Sequence, residues 1–583
     1  MKLSKKLQKL FAMLLVAVMV VSVLPVGSLS VFAEIGEFAG GDGTAENPYL
    51  IANKTQLNNV RYYFDASFKL IADIEFDDSD FEEGGDFYND GAGFEPIGLK
   101  NYPFTGTFDG DGHVIKNLYV NIETDTDVYA GLFGHSEGTI KNLGMVDGSV
   151  SATTTASDRS AYAGGIAGFN DGTIDNCYNT GCVQTYSNSF VGGVVGCNDK
   201  GTITNCYNTG SVSADASSYD AYAYAGGIVG YNYDRTITNC YNTGSVSADA
   251  SSYDADAYAG GIAGYNYGGT ITNCYNTGSV SASSSKAYAY AGGIAGYNSG
   301  TITNCYNTGN VSATSSSSSS SAYAGGIAGY KYHSTITNCY NMGNVSASSN
   351  YAYAYAGGIV GYNRYGTITN CYNMGNVSSD CNAGGIAGDN FWATIENCYN
   401  TGDVAASSSD YASAGGIAGS SDGTITNCYN TGSVSAASSN NAHAGGIAGY
   451  NKGTITNCYN TGDVSATSSY TSAYAGGIAG YNNDGTITNC YNTGNVSASS
   501  SKASAYYDSY AYAGGIAGYN NKTITNCYNT GNVSASSSKA SAYAGGIAGY
   551  NYDGATITTC YNIGNVSSDV SSDVSSDEGV AYI

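Results

Sequence analysis

Cysteine is the residue with the widest chemistry in this sequence, and most of its copies are regularly spaced. Thirteen of the 16 cysteines follow one another at intervals of 27 to 37 residues. They are Cys177, Cys206, Cys240, Cys274, Cys305, Cys339, Cys371, Cys398, Cys428, Cys458, Cys490, Cys527 and Cys560. This series lacks the closely spaced cysteine pairs that are typical of zinc sites. Cys182, Cys197 and Cys381 lie outside the series and are the better candidates for a disulfide or a reactive thiol.

Carboxylates that could act as a catalytic pair are sparse. Polysaccharide hydrolysis needs two carboxyl groups roughly 5–9.5 Å apart. Asp175 interrupts one copy of the repeat described below, and Asp389 and Glu396 interrupt another, without an acidic partner at the matching place in the next copy. The turn at residues 109–113, DGDGH, is the other acidic cluster, and it also reads as an ordinary glycine-rich turn. The sequence therefore predicts no catalytic, cofactor or metal site, with a polysaccharide-active enzyme kept as an alternative.

A repeat must position these residues. Residues 291–313, AGGIAGYNSGTITNCYNTGNVSA, form one unit, and its opening AGG-like step occurs 14 times from Ala130 onwards. Helix interiors penalise the abundant Gly, Asn, Thr and Ser, whereas GGIAGYN, GTITNCYN and GNVSA are typical of short strands. Strands stacked on copies of themselves make a solenoid. We therefore predict an all-β, parallel β-helix, a three-sided β-solenoid of about 14 coils.

Equivalent residues of stacked coils form ladders. Ile294, Ile302 and Val311 are predicted to face the core. The cysteine ladder has Leu143 in its first coil, which indicates an inward, apolar position. Stacked side chains run parallel and keep their Cβ atoms about 4.8 Å apart, beyond the ~3.8 Å that a disulfide prefers. The ladder is therefore predicted to hold free, buried thiols.

An asparagine precedes nearly every ladder cysteine, as in Asn205, Asn239, Asn273 and Asn304. Ile203 and Cys206 are three apart yet both should face inward, so the strand must bend between them. Asparagine tolerates the left-handed conformation of such a bend, and its amide can bond to the amides of neighbouring coils.

The threonines on either side of the central isoleucine should face solvent, because side chains alternate along a strand. This T-x-T pair occurs in 11 of the 14 coils. The pair is explained by the ordinary preference of threonine for exposed strand positions or, as an alternative function, by an ice-binding surface.

Variable Ser/Ala/Tyr/Asp stretches separate the units and are predicted to project as loops from one edge of the rod. Insertions on one face of a repeat array are where binding usually occurs. The candidate binding residues are Tyr222, Tyr224, Tyr351, Tyr353 and Tyr355. Tyrosine offers a stacking face and a hydroxyl, which suits the glycans or surface proteins of a host or neighbouring cell. An inert fringe on a passive structural spacer is the alternative.

The ends of the chain predict its location. Residues 1–33 resemble a signal peptide, with four lysines, an apolar run and a small-x-small cleavage site. Residues 34–129 are assigned to an N-terminal cap and first coils, 130–566 to the repeats and 567–583 to a Ser/Asp-rich tail. The net charge of −26 disfavours nucleic acid, and no later run is apolar enough to span a membrane. We expect a secreted, extracellular or cell-surface protein.

The unit AGGIAGYN-x-GTITNCYNTG-x-V resembles the GLUG-motif repeat of secreted and surface bacterial proteins. The segments at 41–51 and 104–118 resemble the region that often precedes such repeats. The resemblance implies a right-handed β-helix and a surface or adhesin-like role. Some relatives carry a zinc endopeptidase domain with an HExxH motif that cleaves immunoglobulin A. None of His113, His135, His333 and His443 is followed by Glu, so protease activity is not expected.

Overall fold

The computed structural model describes residues 37–570 and 580–582, apart from 219, 318, 351–352, 502–508 and 539–540. The predicted signal peptide and residues 571–579 of the predicted tail lie outside these ranges. The tail is not featureless where it is described, because Val566–Val570 and Val580–Tyr582 pair in parallel with strands of the preceding coil. No helix among the described residues is long and apolar enough to span a bilayer.

The N-terminal region stacks directly on the repeats. Its helix Lys54–Asn59 is capped by Asn53, whose side chain accepts a hydrogen bond from the backbone of Gln56. The 3-10 turns Val60–Tyr62 and Asn89–Gly91 and the short helix Asp78–Phe81 complete the non-strand elements. The strands of this region are Tyr49–Ile51, Ser67–Leu70, Ile74–Glu75, Thr107–Asp109, Val114–Lys116 and Tyr119–Thr124. They pair in parallel with the first repeat coils, and fully buried phenylalanines fill the space between them.

One coil contains five short strands. In the unit at residue 291 they are Ala289–Gly292, Ala295–Asn298, Thr301–Thr303, Tyr306–Asn307 and Val311–Ser315. We call them the AYAG, AGYN, TIT, YN and VSA strands, after their sequences. Each pairs in parallel with its equivalent in the next coil, for example Ile302 with Ile336 and Val311 with Val345.

The described strands form four sheets of 28, 16, 15 and 15 strands, so the predicted parallel β-solenoid is confirmed. The sequence suggested three strands per coil, and the structure has more for two reasons. The left-handed bend at Asn304, with φ of 55°, separates the TIT strand from the YN strand. The residues before the glycine pair form a strand of their own, because Ala289 and Ala291 point into the core.

The core is a stack of small and medium apolar side chains. Ile294, Ile302, Cys305, Val311 and Ala313 are all at most 1% exposed. Burying an isoleucine or valine contributes about 1.5–3 kcal/mol, and every coil repeats the contribution. Glycine fits the neighbouring turn because a Cβ on Gly293 would lie 2.1 Å from the carbonyl oxygen of Gly326 in the next coil.

The variable Ser/Ala/Tyr stretches contribute strand residues on both sides of a shorter connection, which corrects the prediction that they are loops throughout. Between the VSA strand Val311–Ser315 and the AYAG strand Ala322–Gly325 only residues 316–321 connect the two. In the shortest coil the connection is residues 380–381. The alternating alanines of these stretches point into the core, so only the connections between the two strands can project from the rod.

Three consecutive coils differ from the rest. In them the AGYN and TIT strands merge into the continuous strands Ala328–Thr337, Val360–Thr369 and Ala387–Glu396. The residues at the junction pair in register, with Tyr332 opposite Arg364 and Arg364 opposite Phe391. These strands place one aromatic and cationic group of side chains at a single corner of the solenoid.

Candidate functional site

The predicted cysteine ladder lies in the core. Each ladder cysteine from Cys177 to Cys527 is at most 1% exposed, and all 16 cysteines are in the thiol form. The Cys206 thiol donates to the carbonyl of Thr204 at 3.0 Å, and the Cys240 sulfur accepts from the backbone N–H of Cys206 at 3.4 Å. Burial raises the pKa of the Cys240 thiol well above its usual value. These thiols pack as small apolar groups. Of the cysteines outside the ladder, Cys182 is exposed, and Cys197 and Cys381 are buried.

The asparagines before the cysteines form an exposed ladder at the bend. Asn205, Asn239, Asn273 and Asn304 have φ of 55–56°. The amides of Asn239, Asn273 and Asn304 each donate to the asparagine of the preceding coil, as from Asn239 to Asn205 at 3.2 Å, whereas Asn205 donates to Asp175.

Sequence reasoning missed two further asparagine ladders, which are fully buried. In the YN strand, the Asn307 amide donates to the carbonyl of Gly309 at 2.7 Å and to Asn341 at 2.8 Å. In the AGYN strand, the Asn266 amide donates to Asn298 at 2.7 Å. The signal was the recurrence of these asparagines in most copies, within segments otherwise read as plain strands.

Stacking explains much of the tyrosine content. The YN tyrosines form a column in which Tyr207 and Tyr241 stack with ring centroids 4.8 Å apart and planes 4° apart. The AYAG and AGYN tyrosines form two more columns that meet edge to face, as Tyr323 does with Tyr330 at 5.4 Å. Aromatic pairs in such arrangements add about 0.5–1.5 kcal/mol each beyond their burial.

The five candidate binding tyrosines are not one group. Tyr224 is only 8% exposed, and both Tyr224 and Tyr355 belong to AYAG strands and stack in their column. Tyr222 and Tyr353 are 39% and 57% exposed in the short connections. Tyr351 lies outside the described residues. Tyr224 is therefore not displayed for binding.

A second variable place exists in each coil, between the AGYN and TIT strands. We call it the variable corner, and its length runs from two residues at 171–172 to four at 552–555. The sequence pattern predicts variation between copies in the Ser/Tyr stretches alone. It misses this corner because the length of the corner changes by only one or two residues. The aromatic corner is the part of it formed by the three continuous strands. Its members are Tyr332, His333, Arg364, Tyr365, Phe391 and Trp392.

The aromatic corner is a continuous surface built around one guanidinium group. The Arg364 guanidinium carbon lies 5.7, 5.3 and 5.8 Å from the ring centroids of Tyr332, Tyr365 and Phe391. The His333 ring stacks on Tyr365 at 4.6 Å, and Trp392 stacks on Phe391 at 6.0 Å. Trp392 is the single tryptophan of the chain and is 69% exposed. An exposed patch of this type marks an interaction site more often than a stabilising element.

The backbone of the aromatic corner is strained. His333, Tyr365 and Trp392 have φ of 46°, 51° and 50°. Other coils use glycine or aspartate at the same place, such as Gly268 and Asp234. A bulky residue in the left-handed region is a true outlier, and such strain concentrates at functional sites.

Polar side chains interrupt both core-flanking tyrosine columns beside this corner. Asn382 and Ser413 replace the AYAG tyrosine in two successive coils, and Asp389 and Ser420 replace the AGYN tyrosine. Burial, with a contribution from the charge of Asp422, raises the pKa of Asp389 to about 8. Asp389 had no acidic partner in the sequence pattern, but Asp422 at the variable corner of the next coil acts on it electrostatically.

A buried lysine lies under the corner as well. Lys331 replaces an asparagine of the AGYN ladder, is fully buried and donates to the carbonyl of Tyr365 at 3.2 Å. Burial lowers its pKa to about 7. Strongly shifted pKa values tend to cluster at functional sites.

The remaining candidate groups do not converge. Asp109 pairs with Lys141 at 3.2 Å, Asp111 with Lys69 at 2.9 Å, and His113 with Asp73 at 3.1 Å. The DGDGH turn thus divides its charges among three different partners. Asp175 accepts hydrogen bonds from Thr204 at 2.6 Å and from Asn205 at 2.8 Å, where it serves the structural ladders. Glu396 ends the last continuous strand, on the face shared by the threonine pairs.

Stacked identical coils with parallel in-register sheets define a repeat-built parallel β-solenoid. The GLUG motif matches ten segments of its sequence. They are 187–213, 221–247, 255–281, 287–312, 352–378, 379–405, 410–435, 440–465, 471–497 and 509–534. The chain is therefore a GLUG-motif repeat protein.

Two curated proteins are similar over part of the chain. A protein of Evansella cellulosilytica, provisionally named a Gly-rich membrane protein, is 36% identical over 148 residues, which are 25% of this chain and 16% of that protein. Halomucin of Haloquadratum walsbyi is 37% identical over 164 residues, 27% of this chain and 2% of its own length. The chain thus spans less than a fifth of either relative.

Among solved structures, a provisionally named immunoglobulin A1 protease from Bacteroides ovatus is similar at 24% identity. The match covers 63% of this chain and 78% of that one, with a TM-score of 0.29.

Proposed function

We propose that this protein is an extracellular, surface-associated solenoid that binds carbohydrate through its aromatic corner and does not act as a catalyst. The membrane and mucin names of the two curated relatives support a surface location. The net charge of −26 disfavours a nucleic acid ligand.

The observation that carries the proposal is the exposure of Trp392 beside Phe391 and Arg364. An indole face stacks on the apolar face of a sugar ring, and the guanidinium and tyrosine hydroxyl groups offer hydrogen bonds to its hydroxyls. The strain at Trp392 favours function over stability, because glycine or aspartate would satisfy the same turn. The three coils also lie in register, so a polysaccharide running along the rod meets aromatic rings in successive coils.

The experiment is a glycan array and matrix-protein screen of the mature protein, followed by titration of each hit. Trp392 is the only tryptophan, so its fluorescence reports occupancy of the corner directly. We expect Trp392→Ala to weaken binding at least about 30-fold, as for truncation of a central aromatic anchor. Tyr353→Ala is the matched control, since Tyr353 is 57% exposed in a Ser/Tyr connection.

Loss of binding in Tyr353→Ala but not in Trp392→Ala would move the site to the connections. Absence of any ligand in the screen would favour a passive spacer. A readout of thermal hysteresis in the same preparation checks the ice-binding alternative of the threonine pairs.

Hydrolysis of the bound sugar is a second candidate, favoured by Asp389 and Asp422. A carboxyl whose pKa is raised to about 8 stays protonated at neutral pH and can act as a general acid. The measurement is release of reducing sugar by the wild type and by Asp389→Asn. A hydrolase would lose activity in this variant and as pH rises through about 8, while binding to the corner persists. No released sugar from any bound glycan excludes it.

A further inference from the structure

A second place along the variable corner collects metal-ligating side chains. His135, Glu137 and Asp171 bring one ligand atom each to within 4.8 Å of one another, the one such group of three in the described part of the chain. Glu137 and Asp171 begin the variable corner in two successive coils. His135 stands where the AGYN column has an aromatic residue, since it pairs in register with Phe169.

The histidine is buried without hydrogen bonds. Its side chain is 9% exposed, and neither ring nitrogen has a hydrogen-bond partner. Nε2 faces the Asp171 carboxylate at 3.5 Å, which is too long for a good hydrogen bond. The ring is held in place by Phe169, whose centroid is 4.9 Å away. A buried imidazole aimed at two carboxylates without a bonded partner needs an explanation, because buried polar groups are normally satisfied.

We propose that His135, Glu137 and Asp171 form a binding site for a divalent transition metal ion of the zinc type. Zinc accepts one imidazole nitrogen and carboxylate oxygens at about 2.0–2.2 Å and leaves further positions to water. A histidine ligand makes the site unsuitable for calcium or magnesium, because both ions prefer oxygen ligands alone. Glu137 is exposed and free to close the spread of 4.8 Å. This site is separate from the aromatic corner and does not depend on the carbohydrate proposal.

Lys200 is the competitor that the metal must displace. Its ammonium group lies 3.0 Å from Asp171 and 3.8 Å from Asp199, and its side chain is 64% exposed. The exposed lysine can swing into solvent. Removing the Lys200 ammonium group should therefore tighten metal binding. If these residues formed only a His–Asp–Lys charge network, the same change would weaken that network and would not raise the affinity for a metal ion.

The test is a calorimetric titration of the full chain with Zn²⁺, paired with Co²⁺ absorption as a probe of coordination. We expect one high-affinity Zn²⁺ per chain. His135→Phe copies the residue that follows in the same column, keeps the packing and should lower the affinity by more than the roughly 10- to 100-fold that loss of an outer-shell partner costs. His113→Ala, which removes a histidine paired with Asp73, is the control and should leave binding unchanged.

Lys200→Ala should raise the affinity for Zn²⁺. Equal binding by His135→Phe and the wild type would overturn the proposal, as would a wild type that takes up no Zn²⁺ at millimolar concentration. Weaker binding in Lys200→Ala would also contradict it.

Discussion

Replacing Lys331 by asparagine is expected to stabilise the protein, and by an amount that depends on pH. Lys331 occupies a place that asparagine holds in neighbouring coils, and its burial lowers its pKa from 10.5 to about 7. It also leaves the Oδ1 atom of Asn363 buried without a hydrogen bond. In Lys331→Asn the new amide would accept from Asn298 and donate to Asn363, which restores the ladder.

The magnitude follows from the shifted pKa. A drop from 10.5 to about 7 corresponds to about 5 kcal/mol, at ~1.36 kcal/mol for each pH unit. The unfolded state binds the extra proton between these two values, so the stability of the wild type rises with pH across that window. The penalty of the buried lysine is complete below pH 7 and gone above pH 10.5. The advantage of Lys331→Asn should therefore fall from about 5 kcal/mol at pH 6 to about 1 kcal/mol at pH 10, before the repaired hydrogen bonds are added.

The assay is urea unfolding of both proteins at several pH values, followed by the fluorescence of Trp392. This residue lies two coils from Lys331, so it reports the unfolding of the same part of the solenoid, which need not unfold in one step with the rest. Lys286→Asn is the control, because Lys286 is exposed in a Ser/Tyr connection and its replacement should have no such pH dependence. A stability difference that stays constant from pH 6 to pH 10 would refute the reasoning, because it would mean that Lys331 keeps an ordinary pKa in the fold.

Three further predictions concern the aromatic corner, the asparagine ladders and the exposed Cys182. Trp392→Asp places aspartate where other coils already have it, so relief of the left-handed strain should raise the free energy of unfolding by about 1 kcal/mol. The measurement is unfolding followed by circular dichroism, and a lower stability of the variant would contradict the strain. Asn307→Ala removes three buried hydrogen bonds and should cost about 2–4 kcal/mol, whereas Asn304→Gly at the exposed bend should cost less than about 1 kcal/mol. Equal losses of melting temperature in the two variants would disprove the distinction. A thiol reagent should label Cys182 first in the folded protein, and Cys182→Ser should remove this fast phase while the buried ladder reacts only on unfolding.

Much of the coil could be predicted from single residues, because a repeat tests each position many times. Ile302 and Cys305 are both buried, and the three-residue spacing between them required the bend that Asn304 makes. Asn307 was missed because the sequence alone does not distinguish a buried asparagine from an exposed one. Only the positions of the neighbouring coils determine whether its amide is buried. The alanine-rich stretches were read as loops since alanine and serine carry little strand propensity, but stacking on equivalent residues outweighs local preference.

The aromatic corner could not be placed from the sequence alone. Tyr332, Arg364 and Phe391 follow one another at about one coil length along the chain, and their contact depends on the exact register of three stacked strands. The one available signal was that three successive copies depart from the pattern between AGYN and TIT. Composition drew attention to tyrosine instead, although most tyrosines in the strands stack on one another.

The buried amides have a direction. From Asn208 through Asn242 and Asn276, each donates to the asparagine of the following coil, while the exposed amide of Asn239 donates backwards to Asn205. Every interior coil therefore presents the same donor on one side and the same acceptor on the other. If a whole coil is duplicated or deleted, the coils on either side meet with matching groups and both amide chains close again. Changes in repeat number, which misaligned recombination of near-identical gene segments produces, would thus alter the length of the rod without leaving an unpaired amide in its core.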